Sequence, residues 1–476
     1  MNKTIKNIIY NGLYQLLIIA LPILTIPYVA RVLGANGIGT NSYVASIGNI
    51  LSTIIVLGIN QFGVRIIART EKKPEILKRQ FFSLWIFQLI MGVVVVALYT
   101  IFFYFSDNQI YLYANIPYLI GFAMDISWFF IGIEQIKEVV LRNTIIKLTS
   151  LAFIFLLVRT PEDLITYILI NSLTILFSNV IFWKRLYSYF GDLKIPIKKI
   201  SFSYFVPLLL LGAPQIAVQL YTNFDSTTVG LIAGSVQLAY YDQSQKIVRI
   251  ILALVTSVST VLMPKLAQID KDDEKGKNDF NRLIKLSLDI TLVASLFLVL
   301  NLMINSNEFV PWFFGNQFRP MIKNMYFVSL ILVLISYGGV FSGQFALAKG
   351  YYKEYSIPYF VGAAVSLPLN IFLVSKYQAN GGTLAIIITE FFVCMVRIFV
   401  VRKKIDMHYM VKGQLKYILV TVACIITASF YKFNMGNPVL TMVLNTMSYS
   451  LVFFIFILLF NLKRIKLYLQ IRKRDN

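Results

Sequence analysis

Fourteen or so long apolar stretches run the length of the chain, and its Lys and Arg residues fall almost entirely in every second gap between them. Short loops on the inner side of a membrane retain basic residues, so this alternation restricts the chain to a polytopic membrane bundle of fixed orientation. A crossing needs about 20 mostly apolar residues. Such runs are predicted over 8–31, 39–61, 80–105, 111–133, 142–160, 164–183 and 203–234. They continue over 239–264, 283–305, 321–347, 356–375, 383–401, 415–431 and 439–461. With the N-terminus inside, the inner segments hold 36 of the 44 basic residues. The outer gaps hold Arg31, Arg159, Arg319, Lys323, Lys376 and Lys432, and the remaining two, Lys246 and Arg249, lie within a span. A missed or invented helix would invert every later loop and destroy the pattern. Both termini are therefore expected in the cytoplasm.

Composition narrows the function classes. Hydrophobic residues make up 58% of the chain and charged residues 14%. The excess of 44 Lys+Arg over 22 Asp+Glu is accounted for by topology and by anionic headgroups at the inner face, so no nucleic-acid partner is expected. The first apolar segment is too long for a cleaved signal peptide and carries Pro22 and Pro27. Cys394 and Cys424, in apolar helices without nearby His or acidic residues, read as small core hydrophobes. No metal, cofactor or redox chemistry is expected of them.

An enzyme is not expected either. The largest outer gap, near 306–320, is too short for a catalytic domain and holds one acid, Glu308. Asp107, Glu162 and Asp163 are scattered over the other outer loops. The single histidine, His408, lies in a basic cytoplasmic loop and has no partner for acid–base work. No phosphate-binding Gly-Lys-Ser/Thr loop is present. The mixed-charge run Lys271–Lys277 reads as a cytoplasmic hinge loop between the eighth and ninth spans.

The chain also repeats itself at a separation of 200 residues. Gly12-Leu-Tyr-Gln15 is echoed by Gly212-Ala-Pro-Gln215, and Leu33-Gly34 by Ala233-Gly234. The first helix of each half carries two prolines, Pro22 and Pro27 in one and Pro207 and Pro214 in the other, each of which removes a helical hydrogen bond. The offset equals six helices, an even number, so both halves enter the membrane in the same direction. The expected fold is all-α, with about 14 transmembrane helices in two pseudo-symmetric six-helix lobes around a central cavity, plus two C-terminal helices. In numbers, the N-terminal lobe is 1–200, the second lobe is 201–404, and 405–476 holds the extra helices and a basic cytoplasmic tail.

Several motifs carry a family resemblance. Asn11-Gly-Leu-Tyr-Gln15, Leu21-Pro-Ile-Leu-Thr-Ile-Pro-Tyr28, Arg31-Val-Leu-Gly34 and Gly37-Ile-Gly39 resemble the start of Wzx-type polysaccharide flippases. Leu57-Gly58, Phe62-Gly63, the run Asp125–Glu134, Asp225 and Tyr240-Tyr241-Asp242 extend the likeness. These flippases belong to the multidrug/oligosaccharidyl-lipid/polysaccharide exporter superfamily. The resemblance implies movement of undecaprenyl-pyrophosphate-linked oligosaccharide units from the inner to the outer leaflet by alternating access. Those units would feed capsule, exopolysaccharide or O-antigen synthesis. It also implies a bacterial cell membrane location, and a polysaccharide polymerase and glycosyltransferases as partners. The alternatives are a teichoic-acid or peptidoglycan-precursor flippase, a multidrug exporter of the same superfamily, and, from another class, a membrane glycan polymerase or ligase.

The intramembrane charges are the candidate site. An ionisable group at mid-bilayer costs about 2.5–3.5 kcal/mol on insertion scales and must face a partner or a wet cavity. Lys246 and Arg249, three apart, share a helix face. With Arg31 they read either as an electropositive cavity for pyrophosphate or an acidic sugar, or, for Lys246, as half of an ion pair with Asp225. Arg31 also has a simpler reading, snorkelling to the outer headgroups. Glu390 reads as a coupling carboxylate or as a helix-packing group. Asp125 and Glu134, at the two ends of one run in the fourth span, read as an ion-paired cap or as an inner gate.

Overall fold

The computed structural model describes the backbone of residues 3–71, 73–195, 201, 203–269 and 274–475, and the side chains of most of these between Ala20 and Phe460. Among them there is no β-strand. By packing, the chain divides into two units, Met1–Ala239 and Tyr240–Asn476. The first unit contains α1 (Lys3–Val56), α2 (Ile59–Arg69), α3 (Pro74–Phe102), α4 (Gln109–Ala114), α5 (Ile116–Ala123) and α6 (Ser127–Gly132). It continues with α7 (Ile136–Leu157), α8 (Leu164–Phe190), α9 (Phe205–Ala233) and the start of α10 (Ser235–Gln268). The second unit holds the rest of α10, then α11 (Glu274–Phe314), α12 (Ile322–Val328), α13 (Ile331–Gly339) and α14 (Tyr352–Val401). It ends with α15 (Met407–Val411), α16 (Leu415–Phe430) and α17 (Pro438–Asp475). Of the expected hinge loop, residues 271–273 lie outside the described residues, and α11 is already helical from Glu274.

Ten helical stretches among the described residues are long and apolar enough to cross a membrane. Large apolar side chains cover their outsides: on α3, Leu98, Ile101 and Phe102 are 61%, 71% and 79% exposed. Such a surface suits hydrocarbon and would aggregate in water. Two of the ten stretches, Ala20–Arg69 and Tyr352–Val401, are 50 residues long, enough for two crossings each.

Both long stretches are broken where crossings should meet. α1 breaks at Gly34, at φ 70° and ψ 179°, a region that side chains with a Cβ essentially do not enter. Gly234, between α9 and α10, has the same conformation, φ 84° and ψ 172°. α14 breaks at Gln378 (φ 52°), and there Gly381 packs so close to Leu373 that a Cβ would lie 2.0 Å from its carbonyl oxygen.

In the first unit the part of α1 after Gly34 packs antiparallel to α9. Thr40 donates to Ser235 (3.1 Å), the Ser46 and Thr227 hydroxyls share a bond (2.8 Å), and Asn49 donates to Asn223 (3.4 Å). As the residue number falls along α1 it rises along α9. The closest approach comes just past the end of α9, at Gly39, where a Cβ would lie 1.6 Å from the carbonyl oxygen of Ser235, the first residue of α10. α9, assigned to the second half by sequence, thus packs with the first unit.

The fourth predicted span is not one helix but three, α4, α5 and α6. A helix end in hydrocarbon exposes carbonyls that water cannot reach, each costing several kcal/mol if unmet. Every carbonyl from Gly121 to Asp125 is met by a side chain. Asn179 donates to Gly121 (2.8 Å), Gln88 to Phe122 (2.6 Å), Trp85 to Ala123 (3.2 Å) and Trp183 to Met124 (3.0 Å). Gln88 and Trp128 both donate to Asp125, at 2.9 and 3.2 Å. Three of the chain's four tryptophans serve this break. Their rings are also its core: Phe81 stacks on Trp128 at 5.4 Å, and Trp85 meets Trp183 edge-on at 4.5 Å.

In the second unit α11 is the central element. Its Phe280, Ile284 and Leu288 pack against Phe341, Phe345 and Met410, and Leu292, Leu296 and Leu300 pack against Val420, Cys424 and Phe453. The two C-terminal helices, α16 and α17, are therefore held on α11 by apolar burial. Cys394 and Cys424 are both buried in helices.

Candidate functional site

Two of the three cations singled out by sequence, Lys246 and Arg249, lie on α10, and their face is more populated than spacing of cations alone suggested. Asp242, Gln245, Lys246 and Arg249 follow the spacing i, i+3, i+4, i+7 and so lie along one side of the helix. Lys246 Nζ is 2.6 Å from Asp242, with the lysine side chain 42% exposed and the carboxylate 15%. Gln245 is buried, and neither end of its amide has a hydrogen-bond partner among the described residues. A buried amide left so costs about 1–3 kcal/mol and marks a place where water or a ligand is expected. Arg249 is half-buried. Just before this face, Tyr241 is buried and the Tyr240 hydroxyl donates to the Gln317 carbonyl (3.2 Å), which fixes the start of the helix.

Asp242 and Gln245 were missed as site residues. Asp242 was visible as the i−4 neighbour of Lys246; Gln245 carries no charge, and only burial distinguishes it.

In the first unit, Arg31 is exposed three residues before the Gly34 break. Asp225 is 1% exposed on α9, among the same polar residues that line the contact with α1. Asn49 is a junction of that contact, since its side-chain oxygen also accepts from the Tyr118 hydroxyl (2.8 Å).

Asp125 serves the break in the fourth span. Its carboxylate accepts from the backbone N–H of Ser127 (2.9 Å) and from the Ser127 hydroxyl, which holds the first turn of α6. Glu134 closes α6 in a left-handed conformation, φ 63°, where glycine is usual, and is exposed. Beyond it Glu138 pairs with Arg185 of α8 at 2.6 Å.

Glu390 is 3% exposed on α14, beside Thr389, whose hydroxyl has no hydrogen-bond partner among the described residues. Arg397, two turns on, is also buried; it donates to the Ile335 carbonyl (3.4 Å) and its guanidinium lies 5.6 Å from the Tyr359 ring centre. A further buried cation, unannounced by its position near the end of a predicted span, is Lys285. It meets Asp289 (2.7 Å) and the carbonyls of Met410 (2.9 Å) and Lys412 (3.1 Å), while Gln414 bridges Asp289 to the Tyr337 hydroxyl. Three acceptors satisfy this ammonium fully, so the cluster reads as structural. Among the described residues no group of three or more His, Cys, Asp and Glu side chains is placed to hold a metal ion.

Comparison with known proteins places these observations in a family. Residues 4–270 match the family described as polysaccharide biosynthesis protein. A protein of Shigella dysenteriae named "Putative O-antigen transporter" is 24% identical over 383 residues, which cover 78% of this chain and 92% of that one. A protein of Escherichia coli (strain K12) with the same name is 20% identical over 405 residues, covering 83% and 96%. Among solved structures, the lipid II flippase MurJ in an inward closed conformation superposes with a TM-score of 0.75 at 15% identity, over 96% of this chain and 100% of that one. The fold is thus that of MurJ, a multi-pass membrane bundle, and with more than half its length matched the chain belongs to the polysaccharide biosynthesis protein family.

Proposed function

We propose that this protein is a flippase that moves a lipid-linked oligosaccharide from the inner to the outer leaflet of a bacterial cell membrane by alternating access. The likeness to O-antigen transporters along nearly their whole length carries the reading. The substrate class that fits best is an undecaprenyl-pyrophosphate-linked repeat unit destined for O-antigen, capsule or exopolysaccharide. A polymerase and glycosyltransferases are then the expected partners. The chain crosses the membrane fourteen times with both termini in the cytoplasm, as two six-helix halves, 1–200 and 201–404, followed by 405–476.

Lys246 and Arg249 are proposed to hold the pyrophosphate, with Arg31 adding positive charge. The planar guanidinium suits two phosphate oxygens at once, and the ammonium acts as a point charge. Asp242 occupies Lys246 in the absence of substrate, and the unsatisfied amide of Gln245 supports a polar ligand along the same face. Asp225 and Glu390 are proposed as ion-pair or coupling groups, because both are buried acids in helices of a membrane protein. Asp125 and Glu134 act as a cap at the break in the fourth span.

The test is leaflet-resolved measurement of lipid-linked oligosaccharide in cells depleted of the protein. Accumulation on the inner leaflet with loss of polymer supports the reading. Accumulation of single units on the outer leaflet would mean that the protein acts after translocation, as a polymerase or ligase would.

A further inference from the structure

One cavity carries cations that are not among the residues proposed above to hold the transported substrate. It has a volume of about 550 Å³ and opens between α7 and α8. Lys137, Arg142 and Arg185 contribute three positive charges to its wall and Glu138 one negative charge. Arg142 is fixed in place. Its guanidinium donates to the Ser178 carbonyl (3.1 Å) and to Asn143 (2.7 and 3.0 Å), and sits 3.8 Å over the centre of the Phe182 ring. Arg185 reaches across to Glu138 and its side chain remains 55% exposed.

Polarity changes along the cavity. Lys137 begins α7, and one to two turns further on the wall is Leu141 and Ile145, joined from α8 by Ile181, each more than half exposed. At 1.5 Å per residue, Lys137 to Ile145 spans about 12 Å. Cations at one end and exposed aliphatic side chains at the other match a molecule with an anionic head and hydrocarbon chains. Both helices have this basic end on the side where the chain's Lys and Arg are concentrated, which is the side of the anionic inner-leaflet surface.

We infer that this cavity binds an anionic phospholipid of the inner leaflet, its phosphate held by Lys137, Arg142 and Arg185 and its acyl chains lying along Leu141, Ile145 and Ile181. The site rests on the proposed orientation of the chain and not on the identity of its transported substrate. Glu138 weakens it by occupying Arg185. Bound lipid would bridge α7 and α8 at the membrane surface, adding to the Glu138–Arg185 ion pair and to the contacts of Arg142 with Ser178 and Phe182.

The experiment uses the purified full-length protein in detergent, titrated with dioleoyl-phosphatidylglycerol or dioleoyl-phosphatidylcholine, with bound lipid counted by native mass spectrometry. The wild type is expected to retain phosphatidylglycerol in preference to phosphatidylcholine. Lys137→Gln/Arg185→Gln is expected to lower that preference by at least about tenfold, since losing one charged contact alone is worth about that. Glu138→Gln, which breaks the same helix-to-helix ion pair, is expected to raise it, an outcome that a purely structural role for the pair does not give. Equal preference in the wild type and the double variant would overturn the inference. So would inorganic phosphate displacing phosphatidylglycerol completely at millimolar concentration, since the site would then recognise phosphate without its lipid.

Discussion

Gly34 and Gly234, 200 residues apart, share one backbone conformation, φ 70° with ψ 179° and φ 84° with ψ 172°. Each sits at the junction of the first two helices of its half, so the duplication is a property of the backbone as well as of a few matched letters. Placing a Cβ in this region costs about 1–3 kcal/mol. Gly34→Ala and Gly234→Ala are each expected to lower the unfolding temperature in detergent and the amount of protein recovered from membranes. Gly339→Ala is the control: that glycine is helical with nothing within 4 Å of an added Cβ, and it should be neutral.

The approach of Gly39 to Ser235, the first residue of α10, forms the tightest point where α1 runs past the end of α9. If that contact opens and closes during transport, Gly39→Ala keeps it from closing, because the methyl group would overlap the Ser235 carbonyl. Thr40→Cys/Ser235→Cys does the opposite. The native hydroxyls are 3.1 Å apart, so a disulfide should form and hold the contact shut. In a chain lacking Cys394 and Cys424, oxidation should arrest transport and reductant should restore it; full transport by the oxidised, cross-linked protein would show that the contact does not move.

Removing a donor from the break in the fourth span leaves its carbonyls less well met in a water-free interior. Gln88→Leu removes one donor each from the Phe122 and Asp125 carbonyls, which keep the Asp125 N–H and the Trp128 indole, and Trp183→Phe removes the side-chain donor to Met124. With an abandoned group costing about 1–3 kcal/mol, both variants should be destabilised in thermal unfolding.

Glu390 separates coupling from packing. Glu390→Gln keeps shape and hydrogen bonding and removes the charge. Transport that no longer responds to a proton or cation gradient, with stability unchanged, identifies it as the coupling group; an unaltered gradient dependence with lowered stability makes it a packing residue.

These residues also show what sequence reveals in a membrane fold. The junctions at Gly34 and Gly234 were legible because the apolar runs 8–31 and 39–61, and 203–234 and 239–264, part there, and because the two glycines recur 200 residues apart. The break at Asp125 was not. Its five carbonyls are satisfied from α3, α6 and α8, so only the Trp128 contribution is local, and hydropathy reads the whole stretch as one span. Charge was equally uneven. Lys246 and Arg249 were conspicuous as cations in an apolar helix, and helical spacing alone would have supplied Asp242. Gln245, uncharged, became informative only once its burial and unmet amide were known. Lys285, whose three acceptors come from α11 and from the stretch 410–412 far along the chain, looked like any loop-proximal lysine.

The most direct measurement reconstitutes the purified protein in vesicles with a labelled undecaprenyl-pyrophosphate oligosaccharide and follows its appearance on the opposite leaflet. The wild type should move it, and Lys246→Ala/Arg249→Ala, folded and correctly inserted, should not. Failure of the intact wild type to move it under any imposed ion gradient would contradict the account, and equal movement by the double variant would remove the proposed anion site from it.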